Sequence, residues 1–248
     1  MVNFPIPSRI PTPQGQNCPT FRPPPLDGSY TVPELFDYNA EHNPEHPLFV
    51  FADGENTTRT VRYPEAWRMI KRTARIVQGN YRRLEDRYVA QESLRPSEQG
   101  PTIGILASVD TISYFSMIVG TMRLGFVPFP ISIRNSPVGV AHLINKTHVI
   151  QLYVSPDAAM QRLCKEVVAL LEKDSVHVEV LPAVQFADIS DEGALSMEEP
   201  EVEFGKLDLD KMVCLLHSSA FGQVDLCSTI IAVHAAPLFH AMGMVNIL

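Results

Sequence analysis

The sequence lacks most of the features that mark secreted, membrane-spanning or nucleic-acid-binding proteins. Its four cysteines include no CxxC pair, and residues 1–17 contain no apolar core of a signal peptide. The longest apolar stretch, residues 112–122, is interrupted by serine and glycine and is too short to span a bilayer. The 20 basic residues are outnumbered by 28 acidic ones and form no basic stripe. We therefore expect a cytoplasmic protein with reduced thiols, and neither a membrane nor a nucleic acid as its partner.

A zinc site is not expected either. The residues available to form one are Cys214, Cys227, His234 and His240. Structural zinc sites usually pair their ligands a few residues apart, whereas each cysteine here lacks a close partner. We predict no bound metal and interpret Cys214 as a buried strand residue.

The composition is that of a globular protein. The chain has 248 residues, of which 45% are apolar and 19% charged, and this is enough to bury a sizeable core. Residues 1–30 are rich in proline and predict an extended lead-in, which either lies on the surface or serves as a proline-motif ligand. Residues 31–248 are interpreted as the domain itself, with an acidic, solvated loop at about 185–210.

Strands and helices alternate through the middle of the sequence. Strand-like runs appear as TIGILAS, VIQLYVS and VHVEVLP, and helical stretches as VDTISYFSMIVGTMRLG, SPVGVAHLINKTH and PDAAMQRLCKEVVALLEK. Before them, TVPELFDYNAEHNP predicts a capped helix, and RTVRYPEAWRMIKRTARIVQGNYRRL predicts a short strand and a long amphipathic helix. TIGILAS has no alternating polar positions, as expected of a strand whose sheet is covered on both faces. This order predicts an α/β fold with a parallel sheet flanked by helices.

Residues 211–231, KMVCLLHSSAFGQVDLCSTII, begin as a strand but do not continue as expected. The apolar run 212–216 leads into His217, Ser218 and Ser219. A strand that ends in small hydroxylated residues usually leads into a glycine-rich turn whose N–H groups bind phosphate. Here Gly222 is the single glycine that follows closely, so the motif begins and then stops.

Three stretches in a fixed order resemble the core motifs of AMP-forming adenylating enzymes. GTMRLGFVPFPISIRNSP is similar to an early motif in which a helix ends in glycine before VPxP, and VCLLHSSAFG is similar to the approach to the family's phosphate loop. APLFHAMGM is similar to the motif PxFHxxG. The opening, TVPELFDYNAEHNPEHPLFVFAD, resembles fungal reductases with adenylation, carrier and reductase domains, which are similar to aminoadipate and carboxylic acid reductases.

The resemblance implies a fold, a reaction and a set of site residues. The fold would be the incomplete N-terminal subdomain of an adenylate-forming (ANL-type) fold, with residues 31–248 as a partial AMP-binding domain. The family activates a small carboxylic acid with ATP and Mg²⁺, giving an acyl-adenylate that passes to a thiol. The implied nucleotide-binding remnant comprises His217, Ser218, Ser219 and Gly222, and the implied substrate-pocket residues are Phe239, His240 and Gly243.

The chain departs from the family's pattern at the phosphate loop. Residues 220–225, AFGQVD, supply neither the Gly-Ser/Thr-Thr-Gly core nor the Pro-Lys after it, and Asp225 stands where a cation is expected. Ser219 and Pro237 are also closer in sequence than the resemblance implies, as after an internal deletion. The family's adenine-binding segment, its lid with a catalytic lysine and a phosphopantetheine site do not occur in the chain. We therefore expect no confident catalytic residue and no activity from this chain alone.

Two other interpretations of the whole chain remain open. In the first, the chain is a non-catalytic binding or regulatory module that pairs with a full-length relative. In the second, it is the truncated product of a gene model. The individual residues also allow alternatives. Ser218 and Ser219 either bind an anion or form an exposed polar turn, and His240 either gates an acyl pocket or packs at a strand-to-helix turn.

Overall fold

The structure, a computed structural model, describes residues 21–25, 27–53, 57–89, 100–191, 204, 207, 212–217 and 230–234. Its helices are α1 (Val32–His42), α2 (Tyr63–Val89), α3 (Thr111–Arg123), α4 (Pro137–Thr147), α5 (Ala158–Lys173) and α6 (Phe186–Ile189). Its strands are β1 (Pro47–Ala52), β2 (Thr58–Arg62), β3 (Thr102–Leu106), β4 (Val127–Pro130), β5 (Val149–Val154), β6 (Glu179–Pro182), β7 (Met212–His217) and β8 (Ile230–His234). Within these residues the predicted helices and strands are confirmed, and the short α6 is additional. Residues 1–20 of the proline-rich lead-in and residues 192–203 of the acidic loop lie outside the described residues.

Four strands form a parallel sheet in the order β4-β3-β5-β6. This arrangement confirms the predicted α/β fold. Two antiparallel hairpins accompany it, β1 with β2 and β7 with β8. In the sheet, the chain leaves β3 toward β4 by way of α3, crosses back to β5 through α4, and continues to β6 through α5.

Both faces of the parallel sheet are covered by helices. On one face, Ile103 and Ile105 of β3 pack in a core with residues of α2 and α3 such as Met69 and Met117. On the other face, Leu152 of β5 and its neighbours pack with residues of α4 and α5. Because side chains of β3 alternate between two apolar layers, β3 needs no polar position after Thr102, and this explains its continuous apolar sequence IGIL.

The ends of α3 are determined by local sequence. Asp110 lies before its first turn, and the carboxylate accepts hydrogen bonds from the amides of Ile112 (3.0 Å) and Ser113 (2.9 Å). At the other end, Gly125 adopts φ +72°, which is strained for a residue with a side chain. The Gly125 amide donates to the carbonyl of Met122, and the next amide donates to the carbonyl of Thr121, so these two carbonyls of the last turn are satisfied. The glycine therefore ends the helix as predicted.

A network of polar side chains joins the first three long helices. Asp37 of α1 accepts a hydrogen bond from the Trp67 indole of α2 (2.7 Å) and forms an ion pair with Arg123 of α3 (2.8 Å). The Lys71 ammonium lies 3.4 Å from the centroid of the Trp67 ring. Each charge therefore has a neighbour of complementary character, and the three helices are fixed relative to one another.

The end of the proline-rich segment contacts α1 and the turn after it. Asn43 donates a hydrogen bond from Nδ2 to the carbonyl of Arg22 (2.9 Å) and accepts one from the Arg22 amide. The Tyr38 hydroxyl lies 3.4 Å from the carbonyl of Pro23. Residues 21–25 are thus bound along the domain rather than extending away from it.

None of the helices in the described part of the chain is long and apolar enough to cross a membrane.

Candidate functional site

The carboxyl ends of the parallel strands form the edge at which α/β proteins usually bind ligands. The connections from β3 and from β5 leave in opposite directions, so the two strand ends flank a topological switch point. In this chain the switch point is bridged from within. The Ser108 amide donates to Ser155 Oγ (2.9 Å), and Ser155 Oγ donates to Asp157 Oδ2 (2.7 Å). These two bonds connect the segments that follow β3 and β5 at the switch point.

Asp157 has a second role at this edge. Its carboxylate accepts the Met160 amide at the start of α5, and it receives the hydroxyl of Ser155. Both bonds favour the charged carboxylate and so hold the pKa of Asp157 below its usual value. The bond from the Met160 amide has the larger effect. The sequence predicts the helix but not the bridge between strands, because Ser155 and Ser108 are far apart along the chain.

The entrance to the predicted phosphate loop lies at the end of β7. His217, the last residue of β7, pairs with Ile230, the first of β8, so residues 218–229 connect two antiparallel strands. Leu215 packs in the same apolar core as Phe129 of β4, and this places β7 beside the β4 edge of the parallel sheet. The loop entrance is therefore supported by the main core of the domain.

His217 is the predicted site residue that the structure describes. Its Nε2 lies 3.1 Å from the amide nitrogen of Ser132, which donates the hydrogen bond. The imidazole also meets the ring of Phe129 edge-on, with centroids 5.8 Å apart and planes at 77°. Nε2 is therefore an acceptor in this arrangement and carries no hydrogen. The bond directs this nitrogen toward the segment after β4.

The other predicted site residues cannot be placed against this geometry. Ser218, Ser219, Gly222, Phe239, His240 and Gly243 lie outside the described residues. The structure instead adds Ser132 and Phe129 as neighbours of His217, which sequence reasoning did not associate with the loop. Phe129 belongs to the VPFP motif that carries the resemblance, but nothing in the sequence links it to a histidine 88 positions later.

The thiol next to this site is unreactive by position. Cys214 of β7 is 4% exposed, which confirms the prediction of a buried strand residue. Burial raises the pKa of Cys214 to about 12. Burial, and to a smaller extent Cys214 itself, also raises the pKa of Tyr114 on α3 to about 12. Neither group is an anionic nucleophile near neutral pH.

In sequence, the chain is similar to fungal reductases. No protein-family model matches it. An adenylate-forming reductase of Heterobasidion annosum, Nps10, is 30% identical over 270 aligned positions, which cover 98% of this chain and 24% of the relative. The chain is thus similar in sequence to fungal adenylate-forming reductases, which confirms the predicted resemblance to AMP-forming adenylating enzymes. It spans about a quarter of the length of the Nps10 relative.

Solved structures share the fold at low sequence identity. The N-terminal subdomain of NpsA from Klebsiella oxytoca, in complex with 3-hydroxybenzoyl-AMSN, matches 83% of this chain and 41% of that chain with a TM-score of 0.55 and 14% identity. A fatty acyl CoA synthetase from Mycobacterium tuberculosis matches 87% of this chain and 37% of that chain with a TM-score of 0.57 and 14% identity. At this identity the likeness establishes the fold and no more.

Proposed function

We propose that this chain forms part of the N-terminal subdomain of an adenylate-forming domain and does not activate carboxylic acids by itself. The likeness to Nps10 along nearly the whole chain supports the first statement. The composition of the loop after β7 supports the second statement, that the chain does not activate carboxylic acids by itself. In the family, the loop's N–H groups and lysine neutralise phosphate charge while the carboxylate attacks, and this chain does not supply that set.

The residues at this loop do not fit the phosphates of ATP. Residues 218–225, SSAFGQVD, contain one glycine and no lysine or arginine, and they introduce Asp225. A carboxylate at contact distance from a phosphate charge costs about 1 kcal/mol in water and several times more where water is partly excluded. His217, at the entrance, uses Nε2 to accept the Ser132 amide. No step of the reaction is therefore assigned to ATP or Mg²⁺ in this chain.

An internal deletion accounts for the altered loop. The alignment with Nps10 is 270 positions long, more than the 248 residues of the whole chain, so the relative contains residues that this chain lacks. The short distance from Ser219 to Pro237 is consistent with a gap after β7. Such a deletion removes the glycines and the lysine together and leaves the flanking strands able to pair.

The class of substrate follows from the family and not from a pocket in this chain. A small carboxylic acid is the proposed ligand of the complete domain. The complex of the Klebsiella oxytoca NpsA subdomain with 3-hydroxybenzoyl-AMSN supports an aromatic acid as one example. We assign Phe239, His240 and Gly243 to the wall of the acid pocket by their place in the motif PLFHAMG.

A pyrophosphate-exchange assay with a broad panel of carboxylic acids tests the proposal. We expect no exchange above the enzyme-free rate, whereas the adenylation domain of Nps10 serves as the active control. Replacing residues 220–225 with a Gly-Thr-Thr-Gly-x-Pro-Lys sequence should increase ATP binding, measured by equilibrium dialysis, because it restores the glycines and the cation. Robust exchange by the unaltered chain would refute the proposed inactivity.

A non-catalytic module that pairs with a full-length relative is the second candidate. It is favoured by the completeness of the described core, in which helices cover both faces of the parallel sheet. Cooperative thermal unfolding of the expressed chain would distinguish this candidate from a product that scarcely folds. Co-expression in the cytoplasm, its expected location, with a full-length adenylate-forming reductase should give a complex that co-elutes in size-exclusion chromatography. Separate elution of two folded proteins would rule out this pairing.

A further inference from the structure

We propose that the hydrogen bond from the Ser132 amide to His217 is a pH-sensitive link between the segment after β4 and the carboxyl end of β7. The two residues are 85 positions apart, and the bond joins the parallel sheet to the start of the altered loop. The proposal concerns the protein itself and does not depend on whether the chain binds a nucleotide. A negative result would therefore leave the proposed function unaffected.

The donor is held in place by its neighbours. The amide of Ile131 bonds the carbonyl of Ile105 at 2.9 Å, which continues the β3–β4 pairing up to the residue before Ser132. Ile131 is 2% exposed and Phe129 is fully buried. The Ser132 amide therefore has a fixed direction, and the imidazole must approach it with an acceptor nitrogen. The edge-on contact with Phe129 keeps the ring in that orientation.

The bond exists with one protonation state of the ring. A neutral imidazole that accepts at Nε2 carries its hydrogen at Nδ1. When the ring takes up a second proton, Nε2 becomes an N–H donor that faces the N–H of Ser132. Two donors cannot share a hydrogen bond, so the link breaks and a charge is left beside a buried phenylalanine. The end of β7 is then no longer bonded to Ser132.

Several described groups lie on the elements that pack around His217. On β7 and α3, the pKa values of Cys214 and Tyr114 are about 12, so both stay neutral in the range where imidazole titrates. The residues of β4 carry no titratable side chain. After β4, Arg134 is exposed, and its amide donates to Ser132 Oγ. On β8, His234 pairs with Met212 at the opposite end of the hairpin.

Nuclear magnetic resonance of the full chain, titrated from about pH 7.5 to about pH 5.5, tests the link across the range of imidazole titration. We expect the Ser132 amide proton to lose its hydrogen-bonded shift with the same midpoint as the His217 ring. In the variant His217→Gln, whose side-chain oxygen accepts a hydrogen bond but does not titrate, the Ser132 resonance should stay constant. The variant His142→Gln, at an exposed position of α4, should keep the wild-type response.

Each outcome decides the matter. A Ser132 shift that follows the His217 ring in the wild type and disappears in His217→Gln supports the link. A Ser132 amide that does not respond, or that responds equally in His217→Gln, overturns it. If His217→Gln does not fold, the wild-type titration alone is decisive, because different midpoints for the ring and the amide would contradict the proposal.

Discussion

Asp191 is bonded by two arginines of α2. Arg68 meets it with two donors, at 2.6 Å and 3.2 Å, and Arg72 adds a third at 2.8 Å while also bonding the carbonyl of Ile189. The hydrogen bond from Arg68 is the largest of the effects that hold the pKa of Asp191 below its usual value. Asp191 is 43% exposed, so solvent screens the pairs and reduces what they add to stability.

The variant Asp191→Asn should lower the free energy of unfolding by about 1 kcal/mol or less near neutral pH, as expected for screened pairs. Because folding lowers this pKa, the contribution is present above the unfolded value of about 3.9 and is lost as the pH falls through the folded value. The difference between wild type and variant should therefore shrink below about pH 4. Urea unfolding of both proteins at several pH values measures this difference in the free energy of unfolding.

Asp86→Asn is a suitable control, since Asp86 is an exposed carboxylate near the other end of α2. A difference between Asp191→Asn and wild type that stays constant from neutral to acidic pH would show that the arginines do not act through the charge of Asp191.

The arginines of α2 also show where sequence reasoning stops. The sequence around them predicted a long amphipathic helix, and that helix is confirmed. The partner of Arg68 and Arg72 is more than a hundred positions away, at the start of the acidic segment. Periodicity reports which side of a helix is polar, but it carries no information about which distant carboxylate arrives there.

The contact between α2 and α3 depends on a glycine. A Cβ atom at Gly120 of α3 would lie 2.9 Å from the carbonyl oxygen of Ile70 and 3.0 Å from the amide nitrogen of Ala74. Both are backbone atoms of α2, so they cannot move aside without shifting the helix. The two helices are therefore packed at a distance that excludes any side chain at this position.

Gly120→Ala should reduce the free energy of unfolding by about 1–3 kcal/mol, because the added methyl overpacks the helix contact. Gly79→Ala is the matched control in α2, where a Cβ atom meets nothing within 4 Å. It should stabilise the protein by about 0.5–1 kcal/mol, since alanine is the better helix former. Chemical denaturation measures the free energy of unfolding of both variants, and a Gly120→Ala variant at least as stable as the wild type would contradict the close contact between α2 and α3.

At the scale of the whole molecule, the sequence predicted the fold class but not the contacts between segments that are far apart along the chain. The alternation of strands and helices predicted a parallel sheet with helices on both faces. The motif around Gly125 predicted the end of α3. By contrast, the placement of β7 beside β4 and the bond between Ser132 and His217 depend on the sheet bringing together segments far apart in sequence. The site residues 218–222 and 239–243 remain predictions.

The single tryptophan has a spectroscopic consequence. Its indole donates to a carboxylate of α1 and lies under an ammonium group of its own helix, so its surroundings combine elements that come together when the domain folds. Intrinsic fluorescence excited at the indole band therefore originates at one position, the seam between the first two helices. The chain carries a built-in optical reporter for detachment of α1, with no label to be introduced and no second emitter of the same kind to subtract.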